Sequence, residues 1–503
     1  MAEVIRYLPD EEKNRTRALW ERIFAEDSER FLDYYYHIKT ADNEILVLER
    51  DGEILSMLQL NPYRLQLGAA QVEAAYVIAV ATDSRYRHQG MMARLLKRAM
   101  QDRQAKKQPF LFLMPAAEAI YQPFGFRFIY RQQSMTGVLG ALADAAPGML
   151  AENHSPANTG LLQEPKAAHQ KGNVVFFESR NFVWKLCSVA EDEMEEVAGL
   201  AEQLLSRRHI QVCTVRDAHY YRVLQKECRA EDGDLCWMLQ DGRRAGLVAY
   251  TCDEAVEIRE PLLEKSEQLG EALTECFQGF HRPLYVYGMD LWDHFEVEPE
   301  NKNWKQEPVR PVIMARALDL SVLTAGVRAI CPVALVLELE DPILSDNTGR
   351  FLWQVSEVDS RWERISDVPK SAGVGDAAIG AAVARATAIG AAVVGTTAAG
   401  CAAAGCAAVG VAATRTAIIG AAVVETAVVG GDGGRCENVV GDARFCGENV
   451  PVMQLSVDEF VQLLFPDGDP AASATLLERM TPEVRDVWRK LSLYEHVFLN
   501  EIV

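Results

Sequence analysis

The chain has 503 residues, of which 51 are Lys or Arg and 72 are Asp or Glu, which gives a formal net charge of −21 at pH 7. The length predicts about three domains, and the acidic balance argues against a nucleic-acid partner, which needs a basic surface. Eleven cysteines without a C-x-x-C pair predict reduced thiols in a cytoplasmic protein.

The first 140 residues alternate strand and helix patterns. Their N-terminus, Met1–Arg6, lacks the apolar run of a signal peptide. Periodicity and turn residues predict, in chain order, a strand at Glu3–Leu8, helices from Pro9 and over Ser28–Ile38, strands at Glu44–Glu49, Ile54–Leu60 and Gln71–Val80, a helix at Gln89–Arg103, a strand at Phe110–Met114, a short helix at Ala117–Tyr121 and a strand at Phe126–Tyr130. This order predicts an α/β fold with a mixed sheet, and we assign residues 1–145 to a first domain.

The rest of the chain divides into a linker and two further units. Residues 146–172, rich in Ala, Pro, Asn and Gly, predict the linker. Residues 173–305 form a second α/β unit with a helix at Glu191–Arg208. Residues 306–503 form a third unit, with strands predicted at Val312–Ala317 and Val333–Leu339 and helices at Val457–Leu464 and Ala472–Leu491.

An Ala/Gly-rich segment at about 371–448 interrupts the third unit. Between Arg385 and Arg415 lie 29 residues without a charge, which is long enough to span a bilayer, but few branched side chains supply transfer energy. No Leu or aromatic residue occurs from Ser371 through Arg444, so a packed core is hard to build. We therefore predict a low-complexity insertion that neither crosses a membrane nor carries chemistry; its structure and role stay open.

A basic loop after the strand at Gln71–Val80 carries the sharpest signal of a site. Arg85, Arg87 and His88 precede Gly90, which opens the next helix. Successive amides at a helix N-terminus hold a pyrophosphate, and glycine lets the backbone approach it closely. Because strand–glycine–helix turns are common, the pattern taken alone favours a plain structural turn.

Two motifs relate this loop to a known family. Arg87-His88-Gln89-Gly90 resembles the R-x-x-G-x-G/A acetyl-CoA motif of the GNAT superfamily of N-acetyltransferases, although Met92 stands where most members have Gly or Ala. The segment Phe112–Phe126 looks like the second acetyl-CoA segment of that fold. Its Ile-Tyr-x-x-Phe-Gly-Phe string, together with the C-terminal Asn500–Val503, is similar to the enhanced-intracellular-survival (Eis-like) subfamily.

The resemblance implies a fold, a reaction and a set of binding residues. Eis-like proteins carry two GNAT domains followed by a sterol-carrier-protein-like domain, and the resemblance implies a homo-oligomer, a hexamer. It implies acetyl-CoA as cosubstrate, no metal, and direct transfer of the acetyl group to a primary amine of an aminoglycoside, a polyamine or a lysine. The residues that it assigns to acetyl-CoA are Val80, Thr82, Arg87, His88, Gly90 and Met91. An amide near Val80 would stabilise the developing oxyanion.

Two catalytic groups follow from the same resemblance. Tyr121 matches the tyrosine that protonates the leaving thiolate, and a phenol with a pKa near 10 can donate to a thiolate with a pKa of about 8.5. Val503 matches the C-terminal residue whose main-chain carboxylate accepts the proton of the amine. Taken alone, Tyr121 also fits a packed tyrosine, and the apolar end Phe498–Val503 also fits a tail docked by packing.

The remaining polar features leave alternatives open. Glu26, Asp27 and Glu29 either bind a cationic acceptor or belong to a helix cap and a solvated face. The second unit has no counterpart of Arg87–Gly90, so we predict that it is non-catalytic. The alternative function is a non-catalytic protein whose third domain carries an apolar ligand beside a vestigial GNAT site. Gly90 and Tyr121 favour the enzyme.

Overall fold

The computed structural model describes residues 3–138, 183–289, 304–365 and 450–500. The predicted linker at 146–172, the insertion at about 371–448 and Val503 lie outside these ranges, so the predictions about them stay predictions. Among the described residues, no helix is long and apolar enough to cross a membrane.

The first unit has the predicted order of elements. It contains β1 (Glu3–Tyr7), α1 (Arg17–Ile23), α2 (Glu29–His37), β2 (Glu44–Arg50), β3 (Glu53–Leu67), β4 (Ala70–Thr82), α3 (Met91–Ala105), β5 (Phe110–Leu113), α4 (Glu118–Tyr121), β6 (Arg127–Gln132) and β7 (Met135–Val138). Asp51 and Gly52 have φ values of 51° and 85°, which suits the tight hairpin between β2 and β3. The α3 helix buries Leu95, Leu96 and Met100 against the sheet, which fixes its N-terminus near the end of β4.

Strand β3 is longer than the sequence predicts. It runs through Pro62, which was expected to lie beyond the strand. Its pairing with β2 ends at Leu60, and its pairing with a later strand begins only at Leu65. One edge of β3 is therefore without a strand partner at Pro62, and that gap accommodates a residue that has no N–H to donate.

The later elements fall into two blocks along the chain. The second unit contains β8 (Trp184–Ser188), α5 (Met194–Ser206), β9 (Val212–Thr214), α6 (Ala218–Ala230), β10 (Asp234–Gln240), β11 (Arg243–Cys252), β12 (Val256–Ile258), β13 (Leu262–Leu263), α7 (Leu269–Phe277), β14 (Pro283–Val286) and β15 (Trp304–Gln306). Then come β16 (Arg310–Ala317), α8 (Leu320–Leu323), β17 (Arg328–Ala329), β18 (Val333–Glu340), β19 (Gly349–Val355), β20 (Ser360–Ile365), β21 (Val452–Ser456), α9 (Val457–Leu464), α10 (Pro470–Arg479), α11 (Pro482–Trp488), β22 (Leu491–Ser492) and β23 (Val497–Phe498).

One predicted helix is wrong in its extent. The stretch Ala472–Leu491 is not a single helix, because α10 ends at Arg479 and α11 starts at Pro482. Proline has no N–H and clashes with the preceding turn, so it stands at the start of a helix and not inside one. The Thr481 side chain accepts a hydrogen bond from the Val484 amide and caps the new helix.

Each of the first two sheets contains at least one strand from another unit. The first sheet has the order β1-β2-β3-β4-β5-β16-β6, with β9 beside β3 and β23 beside β9, and the second has β15-β7-β14-β12-β11-β10-β8. Strand β16, which follows the second unit in the chain, thus lies between β5 and β6, while β7 lies between β14 and β15. Strands therefore pair across the proposed domain boundaries at 145 and 306. The domain assignment itself stays a prediction.

The third unit is a small mixed sheet covered by helices. Its order is β20-β19-β18-β21, with β18 and β21 parallel. The core between sheet and helices is aromatic, since the Trp353 ring lies 5.6 Å from Phe460 and 6.0 Å from Trp488. After this unit the chain returns through β23, which pairs with β9 and so joins the first sheet.

Candidate active site

Strands β4 and β5 diverge in the middle of the first sheet. They are parallel and pair at Ala75–Leu111 and Tyr76–Phe112; in the described part of the chain they form no further pair. Beyond Tyr76 the edge of β4 that faces β5 therefore keeps backbone groups available for a ligand. Such a point in a sheet is a preferred place for a binding cleft.

A bulge in β4 lies at this divergence. The register with β3 shifts so that Ala79 and Val80 together face Leu58. Ala79 has φ +51°, which is rare for a residue other than glycine, and bulges of this kind are over-represented next to active sites. One residue of a bulge leaves the ladder, so an amide at Ala79 or Val80 is available to a ligand. The sequence carries no signal for this conformation, because alanine does not favour it.

A cavity of about 280 Å³ opens beside the bulge. Its wall combines the β4 residues Tyr76–Val80 with side chains from α1, α2, α3 and the segment after β5: Trp20, Phe24, Asp27, Phe31, Met92, Met114, Ala116, Ile120 and Tyr121. We call it the acyl cavity. The cavity brings together Val80 and Tyr121, which the sequence had placed at the site, and Met92, whose bulk contributes to the wall.

The loop from β4 to α3 has an open, left-handed backbone. His88 and Gly90 have φ values of +62° and +73°, and Gly90 is the N-cap of α3. The Arg94 amide donates to the Gly90 carbonyl at 3.2 Å, so the amides of Met91 to Ala93 precede the first helical hydrogen bond. A Cβ built on Gly90 meets no atom within 4 Å, so the space beside the N-cap of α3 is open. These features fit a pyrophosphate at a helix N-terminus.

The two arginines of the loop have different roles. Arg85 is bound to Asp83 and Glu53, and its guanidinium lowers the pKa of Asp83 to about 2. The charge of this arginine is therefore already balanced by two carboxylates. Arg87 is exposed, and its Nε donates a 3.4 Å hydrogen bond to the Thr82 carbonyl. No ion pair joins Arg87 to a carboxylate in the described residues, so its charge is available to an anion.

The other predicted binding residues fall on the same path. The Thr82 hydroxyl is within 2.8 Å of the Ser56 hydroxyl, which leaves the Thr82 backbone as its contribution to a ligand. Met91 is buried in the core, so it too offers a backbone amide and not its side chain. His88 is exposed beside Arg87. The structure thus brings Val80, Thr82, Arg87, His88, Gly90 and Met91 into one continuous run from cavity to loop.

Tyr121 combines burial with an unengaged hydroxyl. Its side chain is 8% exposed, its ring meets Phe126 edge-on at 5.7 Å, and burial raises the pKa of Tyr121 to about 12. Its hydroxyl makes no hydrogen bond to another described residue. A phenol that is protonated and without a partner, in the wall of a cavity, can donate a proton to a ligand there.

Asp27 is the carboxylate of the acyl cavity. It is partly buried and accepts a 2.6 Å hydrogen bond from Trp20 Nε1. Burial raises the pKa of Asp27, against the opposing effect of this hydrogen bond. Glu26 and Glu29 are exposed and lie outside the cavity wall, and the cap of α2 is Ser28, which accepts from the Phe31 amide at 3.0 Å. Of the three acidic residues, Asp27 alone is placed to meet a ligand in this cavity.

The end of the described chain lies at the boundary between the first two units. Asn500 is buried, accepts a 2.5 Å hydrogen bond from Gln132 and donates to the Arg259 carbonyl. The role of Val503 as a base stays a prediction, because Val503 lies outside the described residues.

Two further predictions concern a metal site and, in the second unit, a counterpart of the loop at Gly90. Within the four described ranges, His, Cys, Asp and Glu side chains form no group of three that could hold a metal ion, and the expectation that no metal is used stays a prediction. In the second unit, α7 begins at Leu269, and the described segment between β13 and α7 has no residue with positive φ, unlike the loop at Gly90.

Comparisons with known proteins concern the first domain and the fold of the chain. Residues 4–129 match the family model of the acetyltransferase (GNAT) domain. A conserved protein of unknown function from Enterococcus faecalis V583, described as a probable N-acyltransferase, is similar in fold, with a TM-score of 0.55 at 14% identity over 73% of this chain and 86% of that one. A GCN5-related N-acetyltransferase from Anabaena variabilis gives a TM-score of 0.53 at 14% identity over 72% and 86%.

A third solved structure is Eis1 from Mycobacterium abscessus, with a TM-score of 0.47 at 15% identity over 73% of this chain and 86% of that one. A search of curated proteins finds no significant match to the chain.

Proposed function

Since residues 4–129 form an acetyltransferase (GNAT) domain and the enzyme is an acyltransferase, we propose that it transfers an acetyl group from acetyl-CoA to a primary amine of a cationic acceptor. The observation that carries the proposal is the meeting of three features at the divergence of β4 and β5. These are the open N-terminus of α3, the bulge at Ala79–Val80, and a cavity that holds both an unengaged phenol and a carboxylate.

We assign the binding of acetyl-CoA to the segment that runs from the loop before α3 to the acyl cavity. The amides of Met91 to Ala93 and the Arg87 guanidinium hold the pyrophosphate, with His88 beside them. The free edge of β4 from Val80 to Thr82 holds the extended pantetheine arm by backbone hydrogen bonds, as a sheet edge holds a peptide strand. Bound in this way, acetyl-CoA supplies an activated thioester carbonyl inside the acyl cavity.

The residues of the cavity then serve the acyl transfer. Asp27 attracts the ammonium group of the acceptor and accepts its proton, which must leave because an alkylamine with a pKa of about 10.4 is almost entirely charged at pH 7. An amide of the bulge donates to the carbonyl oxygen as negative charge develops there. The Tyr121 hydroxyl donates a proton to the leaving sulfur, and the second proton of the attacking nitrogen, released as the amide forms, restores the Tyr121 hydroxyl.

The finer assignments belong to the same proposal. The Ile-Tyr-x-x-Phe-Gly-Phe string at Ile120–Phe126 supports an Eis-like protein acting on an aminoglycoside, a polyamine or a lysine. With it come the sterol-carrier-protein-like third unit, a non-catalytic second unit and a homo-hexamer. The net charge of −21 supports a cationic acceptor through long-range attraction.

The test of the proposal is a screen for thiol release. Purified enzyme and acetyl-CoA are incubated with a panel of aminoglycosides, polyamines and lysine peptides, and free coenzyme A is detected with a thiol reagent. We expect amine-dependent release of thiol together with a product heavier than the amine by one acetyl group. Release of no thiol with any amine of the panel contradicts the proposal.

The Arg87→Ala variant is expected to raise the KM for acetyl-CoA roughly tenfold, because a charge-assisted contact to phosphate is lost. Arg85→Ala is the matched control two residues away, and its KM should change less than about twofold, since Arg85 is bound to Asp83 and Glu53. Steady-state kinetics at varied acetyl-CoA measure both. Equal increases in KM for the two variants mean that the loop has been disturbed as a whole.

Asp27→Asn is expected to lower kcat/KM for the amine roughly tenfold to a hundredfold and to remove the acidic limb of the pH profile. The pKa of Asp27 is raised in the folded protein, so activity that depends on its carboxylate is lost as pH falls through that raised pKa. Folding should not suffer at neutral pH, because a carboxyl whose pKa is raised by folding costs stability when ionised.

The same measurement separates Asp27 from the predicted base at Val503. If the acidic limb persists in Asp27→Asn and disappears when residues are appended after Val503, the base is the C-terminal carboxylate and not Asp27. Acetyl-CoA binding, measured by calorimetry, should be unchanged in Asp27→Asn, because Asp27 is not among the residues from Val80 to Met91 to which we assign acetyl-CoA.

A further inference from the structure

The segment that carries Tyr121 is short and has little support of its own. Helix α4 has four residues and begins after Ala117, whose side chain has no acceptor for the helix amides. Beyond Tyr121 the chain makes one further turn, which we call the tyrosine turn (Gln122–Phe126). It closes at Gly125, which has φ +79° and donates its amide to the Gln122 carbonyl at 2.9 Å. Because so short a helical stretch is not stable alone, contacts from outside the segment fix the Tyr121 ring.

Arg316, on β16, packs against the tyrosine turn. A Cβ built on Gly125 lies 3.0 Å from Arg316 Nε and 3.2 Å from its Cδ, so the arginine touches the backbone of the turn directly. Arg316 is 2% exposed. Its Nη2 donates to Asp341 Oδ1 at 2.6 Å, and its Nη1 donates to the Ala317 carbonyl at 2.7 Å. Since both terminal nitrogens are bound, the guanidinium has a fixed place against Gly125.

Asp341 is held in turn by its own loop, which follows β18 in the third unit. Its Oδ1 also accepts from the amides of Ile343 and Leu344, each at 3.0 Å. Leu344 is buried in the same core cluster as Tyr121. The loop of the third unit that orients Arg316 therefore also packs into the core from which Tyr121 extends.

A second arginine, Arg127 on β6, holds the tyrosine turn at both of its ends. Its Nη1 donates to the Gln122 carbonyl at 3.2 Å and to the Phe126 carbonyl at 2.8 Å. Its Nη2 is paired with Asp458, which lies in the first turn of α9. The tyrosine turn is thus contacted by two arginines of the first sheet, and the carboxylate partners of both, Asp341 and Asp458, belong to the third unit.

We propose that Arg316 and Arg127 are positioning residues for Tyr121, and that the third unit holds them in place through Asp341 and Asp458. The inference rests on the proposed function, because it concerns the group that donates to the leaving sulfur. Neither arginine is part of the wall of the acyl cavity, so each acts through the tyrosine turn and not on the ligand. A small displacement of a proton donor lowers the rate of the chemical step more than it weakens binding.

The first experiment measures kcat and KM on variants of the full chain. Arg127→Met removes both hydrogen bonds to the tyrosine turn, and Arg316→Met combined with Asp341→Asn replaces the buried ion pair without leaving a charge unpaired. Each is expected to lower kcat roughly tenfold and to leave the KM for acetyl-CoA within about twofold. Lys107→Gln is the matched control with full kcat, because it breaks another ion pair, with Asp319 at 2.9 Å, in the loop after α3.

A second experiment observes Tyr121 without the reaction. Fluorotyrosine is incorporated at Tyr121 of the full chain, and its fluorine NMR resonance is recorded without acetyl-CoA or amine. We expect one resonance in the parent and the same resonance in Lys107→Gln, but a shifted or split resonance in Arg127→Met and in the double variant. A parent that releases no thiol contradicts the proposed function, whereas the resonance still decides whether the arginines position Tyr121.

Thermal unfolding supplies the control for folding. Arg127 and Asp458 are 21% and 20% exposed, so Arg127→Met leaves its partner in contact with solvent and should unfold near the temperature of the parent. This variant therefore decides the matter even if the double variant is unstable. The proposal is overturned if Arg127→Met keeps the resonance of the parent, whatever its kcat, or if Lys107→Gln loses as much kcat as Arg127→Met.

Discussion

Replacing Tyr121 with phenylalanine is expected to lower kcat about 10²-fold while the KM for acetyl-CoA stays within about twofold. The change removes one oxygen atom and leaves the ring, so the edge-on contact with Phe126 at 5.7 Å is kept. Since the hydroxyl has no partner among the described residues, its loss breaks no structural hydrogen bond. The effect should therefore fall on the chemical step and not on folding.

The pKa of Tyr121 refines what this hydroxyl does. Burial raises it to about 12, whereas a free thiol has a pKa of about 8.5. Complete transfer of the proton to a free thiolate would then be uphill by roughly 5 kcal/mol, at about 1.4 kcal/mol for each pKa unit. Tyr121 consequently acts while charge is developing on the sulfur, as a hydrogen-bond donor whose proton moves only as the carbon–sulfur bond breaks.

The control for Tyr121→Phe is Tyr7→Phe. The Tyr7 hydroxyl is buried with the Asp102 carboxylate near it, and Tyr7 is not part of the cavity wall. Its removal should leave kcat unchanged. If both variants lose activity equally, or if Tyr121→Phe keeps the full rate, the hydroxyl of Tyr121 serves packing and not catalysis. A pH profile adds a second check, because a Tyr121 acid with a pKa of about 12 causes no loss of rate below about pH 11.

The sequence predicted the first unit well because its signals are local. The order of strands and helices up to β6 is confirmed, and Asp51-Gly52 and Gly90 adopt the positive φ values that their residue types favour. The loop residues and Tyr121 follow one another closely along the chain around two turns. That Val80 and Tyr121 line one cavity follows from the β4-α3-β5-α4 order.

What the sequence did not predict depends on contacts between distant segments. The placement of β7 in the second sheet and of β16 in the first depends on pairing across more than 140 residues, for which hydrophobic periodicity carries no signal. The bulge at Ala79 opposes the ordinary preference of alanine and is imposed by the pairing with β3. The difference between Arg85, which is paired with carboxylates, and Arg87, which is available to an anion, depends on Glu53, which lies on another strand.

The break at Pro482, by contrast, was within reach of sequence reasoning. A proline in the interior of a predicted helix is a local signal for a new helix start, and Thr481 before it is a favourable cap residue. Strand β3 shows the opposite case. In the sequence Pro62 argues against a strand, and only the pairing shows that Pro62 lies in the gap between the part of β3 that pairs with β2 and the part that pairs with β9.

Gly90→Val is expected to raise the KM for acetyl-CoA about 10²-fold. A β-branched side chain at φ +73° is strained by roughly 1–3 kcal/mol, and the loop relieves that strain by turning its amides away from the pyrophosphate. Each lost hydrogen bond to a charged group costs about 1.5–3 kcal/mol of binding, so one or two of them account for the change. Initial rates at varied acetyl-CoA, with the amine saturating, measure it.

Gly52→Val separates the effect on binding from the strain. Gly52 is exposed like Gly90, has φ +85°, and a Cβ built on it also meets no atom within 4 Å. It lies in the hairpin between β2 and β3 and does not line the acyl cavity. Both variants should lose similar stability in thermal unfolding, but only Gly90→Val should lose affinity for acetyl-CoA. An equal rise in KM in the two would place the effect in general destabilisation, and a Gly90→Val enzyme with normal KM would remove the pyrophosphate from the N-terminus of α3.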